Sequence, residues 1–258
     1  MSKVANKTGE TNYNNFGSKM IIIEYRTARD IDVYFPEYNW IVKNRQYVDF
    51  KKGRIKCPYE KSVYKVGYIG EGKYEVSKNN KHTKCYQTWH GMLRRCYNSK
   101  HQEEHHTYVN CKVLEDWHNF QNFGEWDEDN YYEIEGERME LDKDILIKGN
   151  KIYSPETCIY VPQTINKLFT KSDKTRGKSL IGVTPTNSKY IIQCRLINPK
   201  TGKSKQEYLG RYETQEEAYE VYKRYKERNI KEVADYYKDK IPKKLYNAMY
   251  DYEVEIND

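Results

Sequence analysis

Two sets of side chains in this sequence could do chemistry, and the first is a group of cysteines and histidines that could hold a metal ion. The candidate ligands are Cys96, Cys111, Cys158, His101, His105 and His106. Together they would supply the sulfur and nitrogen atoms that zinc prefers. Their spacing is not that of a standard zinc ribbon, and none of the six cysteines belongs to a Cys-x-x-Cys pair. We therefore expect no structural zinc, and we interpret the cysteines as small buried hydrophobes and the histidines as part of a solvated loop.

The second set lies on a predicted strand whose two faces differ. One face is apolar, with Tyr190, Ile192, Cys194 and Leu196. The other face is mixed and partly basic, with Lys189, Ile191, Gln193 and Arg195. Arginine can bond to guanine through two hydrogen bonds, glutamine can do the same with adenine, and lysine can neutralise phosphate. The pattern is typical of a nucleic-acid contact, and the alternative is a basic face that only meets solvent.

The composition limits the kind of protein in which these residues act. A chain of 258 residues with 37% hydrophobic and 32% charged residues, and a mean hydropathy of −1.06, favours several small domains over one large core. The 27 tyrosines and 4 tryptophans exclude a disordered chain. The formal net charge is +7, and residues 171–211 hold ten Lys or Arg against two acids, which is compatible with a nucleic-acid partner.

The sequence also limits where the protein acts. It contains no apolar run of about 18 residues, so no transmembrane helix and no membrane partner are expected. Residues 1–20 lack an apolar segment and predict a polar leader, not a secretory signal. We therefore expect a cytoplasmic protein with reduced cysteines. The sequence predicts no oligomeric state.

Several predicted elements must position these side chains. The fold class is α+β and multidomain, with a small N-terminal β-barrel-like domain, a central helical plus ββα domain, and a C-terminal three-stranded antiparallel sheet packed on one helix. The predicted divisions are a leader at 1–20, a β-rich accessory domain at 21–80, the central domain at 81–170, the sheet-and-helix domain at 171–240 and a tail at 241–258.

Local patterns fix the expected elements more closely. Trp89, Met92, Leu93 and Cys96 recur at helical spacing behind Thr88, a plausible N-cap, and a second helix is expected to begin near Leu114. The ββα unit is expected as strands at 141–147 and 157–161 and a helix at 162–169, with Pro162 as its first residue. The last helix begins with a capping box from Thr214 to Glu217.

The C-terminal unit carries a recognisable string. It runs Ile181-Gly182-Val183, Lys189-Tyr190, Arg195, Leu209-Gly210-Arg211-Tyr212-Glu213-Thr214-Gln215-Glu216-Glu217-Ala218 and Tyr222. Over about 50 residues this resembles the ethylene-response-factor (APETALA-type) DNA-binding domain, whose sheet lies in the major groove. The resemblance implies contacts to double-stranded DNA from Lys189, Gln193, Arg195, Lys205 and Arg211. Ile181 and Thr184 stand where that family often has base-reading arginines, so the resemblance implies no target sequence.

The middle of the chain carries a second string. It comprises Trp89, Met92, Arg95-Cys96-Tyr97, Tyr108, Val113, Trp117, Phe120, Phe123, Leu141-Asp142-Lys143-Asp144-Ile145 and Tyr153-Ser154-Pro155-Glu156-Thr157-Cys158. Over about 80 residues this order resembles the HNH (ββα-metal) endonucleases of phages and mobile elements. Such nucleases often carry an appended DNA-binding module, so the two resemblances support each other.

The HNH resemblance implies roles for five residues. It gives Asp142 and Asn166 as ligands of Mg²⁺ or another divalent ion, and Asn150 as the asparagine that braces the loop. Lys143 stands where the family has its general-base histidine, and a lysine with an ordinary pKa is protonated at neutral pH and is a poor base. Three interpretations remain: the chemistry has been lost, Asp144 or a displaced histidine such as His118 supplies the base, or Lys143 is structural.

Three functions follow from these patterns. The first is a sequence-specific protein of duplex DNA that resembles a homing-type HNH endonuclease and cleaves with a divalent metal. The second is a DNA-binding regulator on the same scaffold without catalysis. The third is an adaptor whose acidic segment 113–140 binds a basic partner, and it leaves the basic face at 171–211 without a role. We favour the first.

Overall fold

A computed structural model describes residues 6–170 and 179–256 of the chain. The chain divides into two compact units, residues 1–129 and 130–258. Within the described ranges it is a mixed α/β protein with several small antiparallel sheets, none of which closes into a barrel. Residues 171–178, the start of the predicted sheet-and-helix domain, lie outside the described part, as do the first five residues of the predicted leader.

The first unit begins with an antiparallel sheet of four strands in the order β1-β2-β3-β4. The strands are β1 (Thr11–Tyr13), β2 (Lys19–Thr27), β3 (Asp30–Phe35) and β4 (Trp40–Arg45). One face buries apolar side chains such as Ile22, Val33 and Phe35 under Phe50 of the short helix α1 (Tyr47–Lys51). The prediction of a barrel-like domain is therefore wrong. The sheet has too few strands to close and stays open, with β1 and β4 as its two edges.

The rest of the first unit is mostly helical. Its elements are β5 (Ser77–Lys78), β6 (Lys81–His82), α2 (Lys84–Tyr97), α3 (Ser99–Glu104), β7 (Lys112–Val113) and α4 (Phe120–Asn130). The predicted apolar face of α2 is buried at all four positions. The indole of Trp89 donates a buried hydrogen bond of 2.7 Å to the carbonyl of Trp117, which fixes α2 to the turn before α4.

Two predicted helix starts in this unit are wrong. Helix α2 begins five residues earlier than expected, and its N-cap is Thr83, whose hydroxyl accepts a 3.2 Å bond from the backbone N–H of Tyr86. Thr88 lies inside the helix and donates to the carbonyl of Lys84. Leu114 precedes a 3₁₀ turn, and α4 begins only at Phe120.

The second unit begins with the ββα segment. Its elements are β8 (Met139–Asp142), β9 (Ile152–Tyr153), β10 (Ile159–Pro162) and α5 (Gln163–Asn166), and β8 pairs with β10 antiparallel. The strand expected at 141–147 ends at Asp142, because the Asp142 carboxylate accepts two backbone N–H groups and turns the chain. Pro162 is the N-cap of α5 and not its first residue.

The sheet that follows has the order β11-β12-β13 and is antiparallel throughout. Its elements are β11 (Val183–Pro185), β12 (Tyr190–Ile197) and β13 (Ser204–Tyr212), followed by α6 (Gln215–Tyr237) and α7 (Lys243–Tyr250). The predicted capping box is formed by Thr214 and Glu217 at the start of α6. With 23 residues, α6 is about 35 Å long.

This length lets α6 serve two cores. Its first turns pack on the sheet through Ala218 and Tyr222. Its last turns, with Ile230 and Val233, pack on the ββα segment and α7. The predicted domains at 81–170 and 171–240 thus have parts in one compact unit, and their boundaries stay a prediction. None of the helices in the described ranges has the length and apolar character needed to cross a bilayer.

Candidate functional site

The loop between β8 and β9 holds most of the residues to which the HNH resemblance assigns chemistry. The Asp142 carboxylate at the end of β8 accepts the N–H groups of Asp144 at 2.9 Å and Ile145 at 2.7 Å, both through Oδ1. Burial, and then the nearby Asp144 carboxylate, raises the pKa of Asp142, although the two backbone hydrogen bonds oppose this. A bound cation would oppose both effects, because it would favour the charged form of the carboxylate.

Lys143, which the HNH resemblance aligns with that family's histidine, is almost fully buried, with 6% of its surface exposed. Its ammonium is 3.3 Å from the Asp144 carboxylate and 5.8 Å from the centre of the Tyr153 ring. An ammonium that is held by a carboxylate and an aromatic face has no lone pair with which to accept a proton. This arrangement pairs Lys143 with Asp144, and its role in the expected chemistry stays a prediction.

Asn150 and Asn166 lie in different parts of the ββα segment. The Asn150 amide donates to the carbonyls of Lys143 at 2.7 Å and Ile152 at 2.6 Å, so it ties the two ends of the loop together. The Asn166 amide, at the end of α5, donates at 2.6 Å to Glu140 on β8. Because Glu140 and Asp142 are two residues apart on one strand, they lie on the same face of β8.

Glu140 is therefore a residue of the site that sequence reasoning missed. It accepts the amides of Asn166 and Gln163, the latter at 3.1 Å, and Arg138 lies 3.8 Å away. The signal was available, because strand alternation puts Glu140 on the face of Asp142. The oxygen donors on this face are the two carboxylates and the amide oxygen of Asn166, a set that fits a hard cation such as Mg²⁺.

The histidines lie away from this loop in the sequence, in the first unit. His118 is half-buried; its Nε2 is 3.1 Å from the hydroxyl of Tyr97, and burial lowers its pKa. His101 and Glu104 of α3 and His105, its C-cap, have ligand atoms within 4.8 Å of one another, and no other such group of three occurs in the part of the chain that the structure describes. This group contains none of the cysteines proposed as zinc ligands. All six cysteines are thiols.

The sheet β11–β13 presents the other candidate site. Its inner face, with Val183, Ile192 and Cys194, packs on α6. We call the opposite side the outer face. Cross-strand pairing assigns residues to it, because directly opposed residues point the same way. The outer pairs are Thr184 with Ile191, Ile191 with Arg211, Gln193 with Tyr208 and Arg195 with Gln206.

A bulge in β13 separates two of the predicted DNA contacts. The register shifts between Ile192, which pairs with Gly210, and Gln193, which pairs with Tyr208. Gly210 has a φ of 124°, which favours glycine at this bulge. Arg211 therefore lies on the outer face, whereas Lys205 is opposite Leu196 on the inner side at the edge of the sheet. The prediction that Lys205 shares the face of Arg195 does not fit this register.

The remaining predicted contacts differ in their surroundings. Gln193 and Arg195 are exposed on the outer face, and Lys189 lies just before β12 with its ammonium 2.5 Å from the Glu213 carboxylate. Tyr208, with 59% of its surface exposed, lies opposite Gln193 and was not anticipated from the sequence. A tyrosine in the middle of a predicted strand could have been noticed in the sequence. Which face of the sheet it occupies could not, because that depends on the bulge.

The structure therefore offers two candidate sites. The outer face presents cationic and amide groups, and the β8–β9 loop presents carboxylates near a buried lysine. Comparison of the chain with models of protein families, with curated proteins and with solved structures found no match, so its functional interpretation depends on these two arrangements.

Proposed function

We propose that this chain binds duplex DNA through the outer face of the β11–β13 sheet. The observation that carries the proposal is that Gln193, Arg195, Tyr208 and Arg211 project from one face while α6 covers the other. The exposed face of an antiparallel sheet can enter the major groove. There arginine can neutralise phosphates on any sequence and bond to guanine at a target site, glutamine can recognise adenine, and a tyrosine hydroxyl can bond to phosphate.

The groups on this face should not contribute equally. Arg195 and Arg211 form no ion pair with any acid among the described residues, so their guanidinium groups can meet DNA without first breaking one. Lys189 must first give up Glu213, which offsets part of its attraction to phosphate. Lys205 on the inner side would contribute only through the general positive field of the unit.

The proposal extends to metal-dependent cleavage by the ββα segment. Asp142 and Glu140 would hold a divalent cation, and Asn166 would turn its amide oxygen toward it. The ion would supply polarisation of the scissile phosphate. Asn150 would keep the loop closed, and Lys143 would balance the charge of Asp144. Asp144, with 43% of its side chain exposed, would be the carboxylate of this loop that takes a proton from water.

Two observations favour a second function, a DNA-binding regulator that does not cleave. The place of the expected base is filled by a lysine ammonium, and the Asn166 amide is already bonded to Glu140. In both arrangements a side chain of this protein already interacts with the carboxylate, so no bound cation is needed there. The two functions share the same DNA-binding face and differ only in the chemistry of the β8–β9 loop.

DNA binding is tested by fluorescence anisotropy with random-sequence duplex over a series of salt concentrations. Each phosphate neutralised adds about 0.9 to the slope of log affinity against log salt, so Arg195→Ala with Arg211→Ala should lower that slope by about 1.8. Lys205→Ala is the matched control, because it removes a charge from the same strand but from the other face. Equal effects of Arg211→Ala and Lys205→Ala would contradict the assignment of the outer face.

Cleavage is tested on supercoiled plasmid with Mg²⁺, Mn²⁺ or EDTA. Asp142→Asn is the informative variant, because its amide oxygen can still accept the N–H groups of Asp144 and Ile145 and so retain the turn. Glu135→Gln, at an exposed acid of the same unit, is the control. Metal-dependent nicking that only Asp142→Asn abolishes supports the nuclease, whereas salt-sensitive binding without nicking supports the regulator.

A further inference from the structure

The first unit contains a cleft with no part in the proposed function. Its volume is about 1080 Å³, at the upper end for small-molecule sites. It is lined by the free edge of β4, by parts of the 56–76 segment and by Tyr86 and His90 of α2. All of its lining residues belong to the first unit, so the cleft is complete within that unit.

The cleft is positively charged. Lys43, Arg45 and Lys56 line it, against one acid, Glu71. The three cationic side chains are exposed, so they can reach a ligand. The Lys56 ammonium lies 4.8 Å from the centre of the Phe16 ring, at the same wall. Charge complementarity therefore favours an anionic occupant.

Aromatic rings line the same space. They include Trp40, Tyr64 and Tyr86, and the Tyr64 ring lies 5.1 Å from the ring of His90. Rings of this kind offer planar surfaces on which nucleobases stack. A cationic groove with interleaved aromatic side chains is the arrangement by which proteins bind single-stranded nucleic acid.

The position of Tyr64 is maintained at a conformational cost. Tyr64 and Lys65 have φ values of 50° and 64°, and Val66 donates its N–H to the carbonyl of Val63 across them. They occupy the two central positions of a tight turn in which Asn-Gly is the usual pair. A tyrosine there is strained, and such strain is concentrated at ligand sites. The turn directs a ring into the cleft where a glycine would be easier to accommodate.

We propose that this cleft binds single-stranded DNA, with phosphates near Lys43, Arg45 and Lys56 and bases stacked on Trp40 and Tyr64. The inference deepens the proposed function and rests on it, since a chain that acts on DNA meets unpaired strands. The edge of β4 could instead pair with a peptide strand. Its charges, Lys43 and Arg45, and the left-handed Asn44 between them (φ 56°) oppose that, because both are devices that protect edges from strand addition.

The test measures binding of fluorescein-labelled oligothymidylate and of duplex to the full chain. Tyr64→Gly removes the ring and relieves the turn, so the fold is retained, and it should weaken oligothymidylate binding roughly five- to 150-fold, the loss of one stacked base. Lys43→Glu with Lys56→Glu should do the same and lower the salt slope. Lys19→Glu with Lys52→Glu makes the same change of charge at exposed positions outside the cleft and should have a small effect.

The outcomes separate this inference from the proposed function. If the cleft variants lose oligothymidylate and keep duplex, and Arg195→Ala with Arg211→Ala does the reverse, both proposals stand. If the cleft variants bind oligothymidylate as the parent does, the cleft is not a nucleic-acid site, whatever the duplex result. If both pairs of lysine changes weaken binding equally, the effect is general charge and the inference is overturned.

Discussion

Asn229 on α6 is the residue whose replacement should most clearly weaken the second unit. It is buried, with 4% of its surface exposed, between the two cores that α6 serves. Its amide donates to the carbonyl of Ile197 at 2.9 Å, and its oxygen accepts the N–H of Ile197 at 2.8 Å. The side chain thus satisfies both backbone groups of the last residue of β12 and fixes the helix to the sheet.

Asn229→Ala would leave those two buried groups without these partners. An unsatisfied buried donor or acceptor costs about 1–3 kcal/mol, so the pair amounts to about 2–6 kcal/mol. Alanine returns roughly 0.5 kcal/mol through its better helix propensity. The net loss is about 2–5 kcal/mol, a large part of the 5–15 kcal/mol by which typical domains are stable.

The assay is urea unfolding followed by far-UV circular dichroism. With an m value of about 2 kcal/mol per molar, the transition midpoint should fall by about 1–2.5 M. Asn247→Ala on α7 is the control, because Asn247 is an exposed helical asparagine and should gain a few tenths of a kcal/mol. A loss below about 1 kcal/mol for Asn229→Ala, or equal effects at both positions, would refute the assignment of Asn229 as the link between α6 and β12.

Three further predictions concern single residues. Gly182 has a φ of 73°, and a methyl group added there would overlap an aromatic ring of α6. Gly182→Ala should therefore lower the urea midpoint more than Gly136→Ala, where φ is 79° and the space is open. Equal losses would mean that only the backbone strain of a positive φ matters at both positions. Burial lowers the pKa of His118 below its usual 6.5, so the unfolded chain binds the proton more tightly and stability should fall as the pH drops from about 7 to about 5. In thermal unfolding at both pH values His118→Gln should reduce that loss and His105→Gln, at an exposed position, should not; an unchanged loss in His118→Gln would place the titrating group elsewhere. Lys143→His should raise Mg²⁺-dependent plasmid nicking, whereas Lys143→Met should not. Equal nicking by both variants would mean that position 143 is not where a general base acts.

Much of the local structure could be predicted from the sequence because it depends on neighbours along the chain. The buried face of α2, the capping box of α6 and the alternation along β12 all follow from spacings of a few residues. The expected β-rich region at 21–80 contains most of an open four-stranded sheet, whose first strand lies before residue 21. Boundaries were less accurate, since the Thr83 cap and the Asp142 turn depend on which hydroxyl or carboxylate finds a backbone N–H.

Which side chains share a face was decided only by the tertiary structure. Lys205 and Arg211 are an even number of residues apart and should point the same way, but the bulge at Gly210 inserts one residue between them and reverses that relation. The hydrogen bond between Asn166 and Glu140 joins residues 26 positions apart, and the one between Asn229 and Ile197 joins residues 32 positions apart. No pattern along a strand or helix encodes such contacts, because they depend on how separate elements pack. The bulge and the contact of Asn166 decide which residues belong to each candidate site.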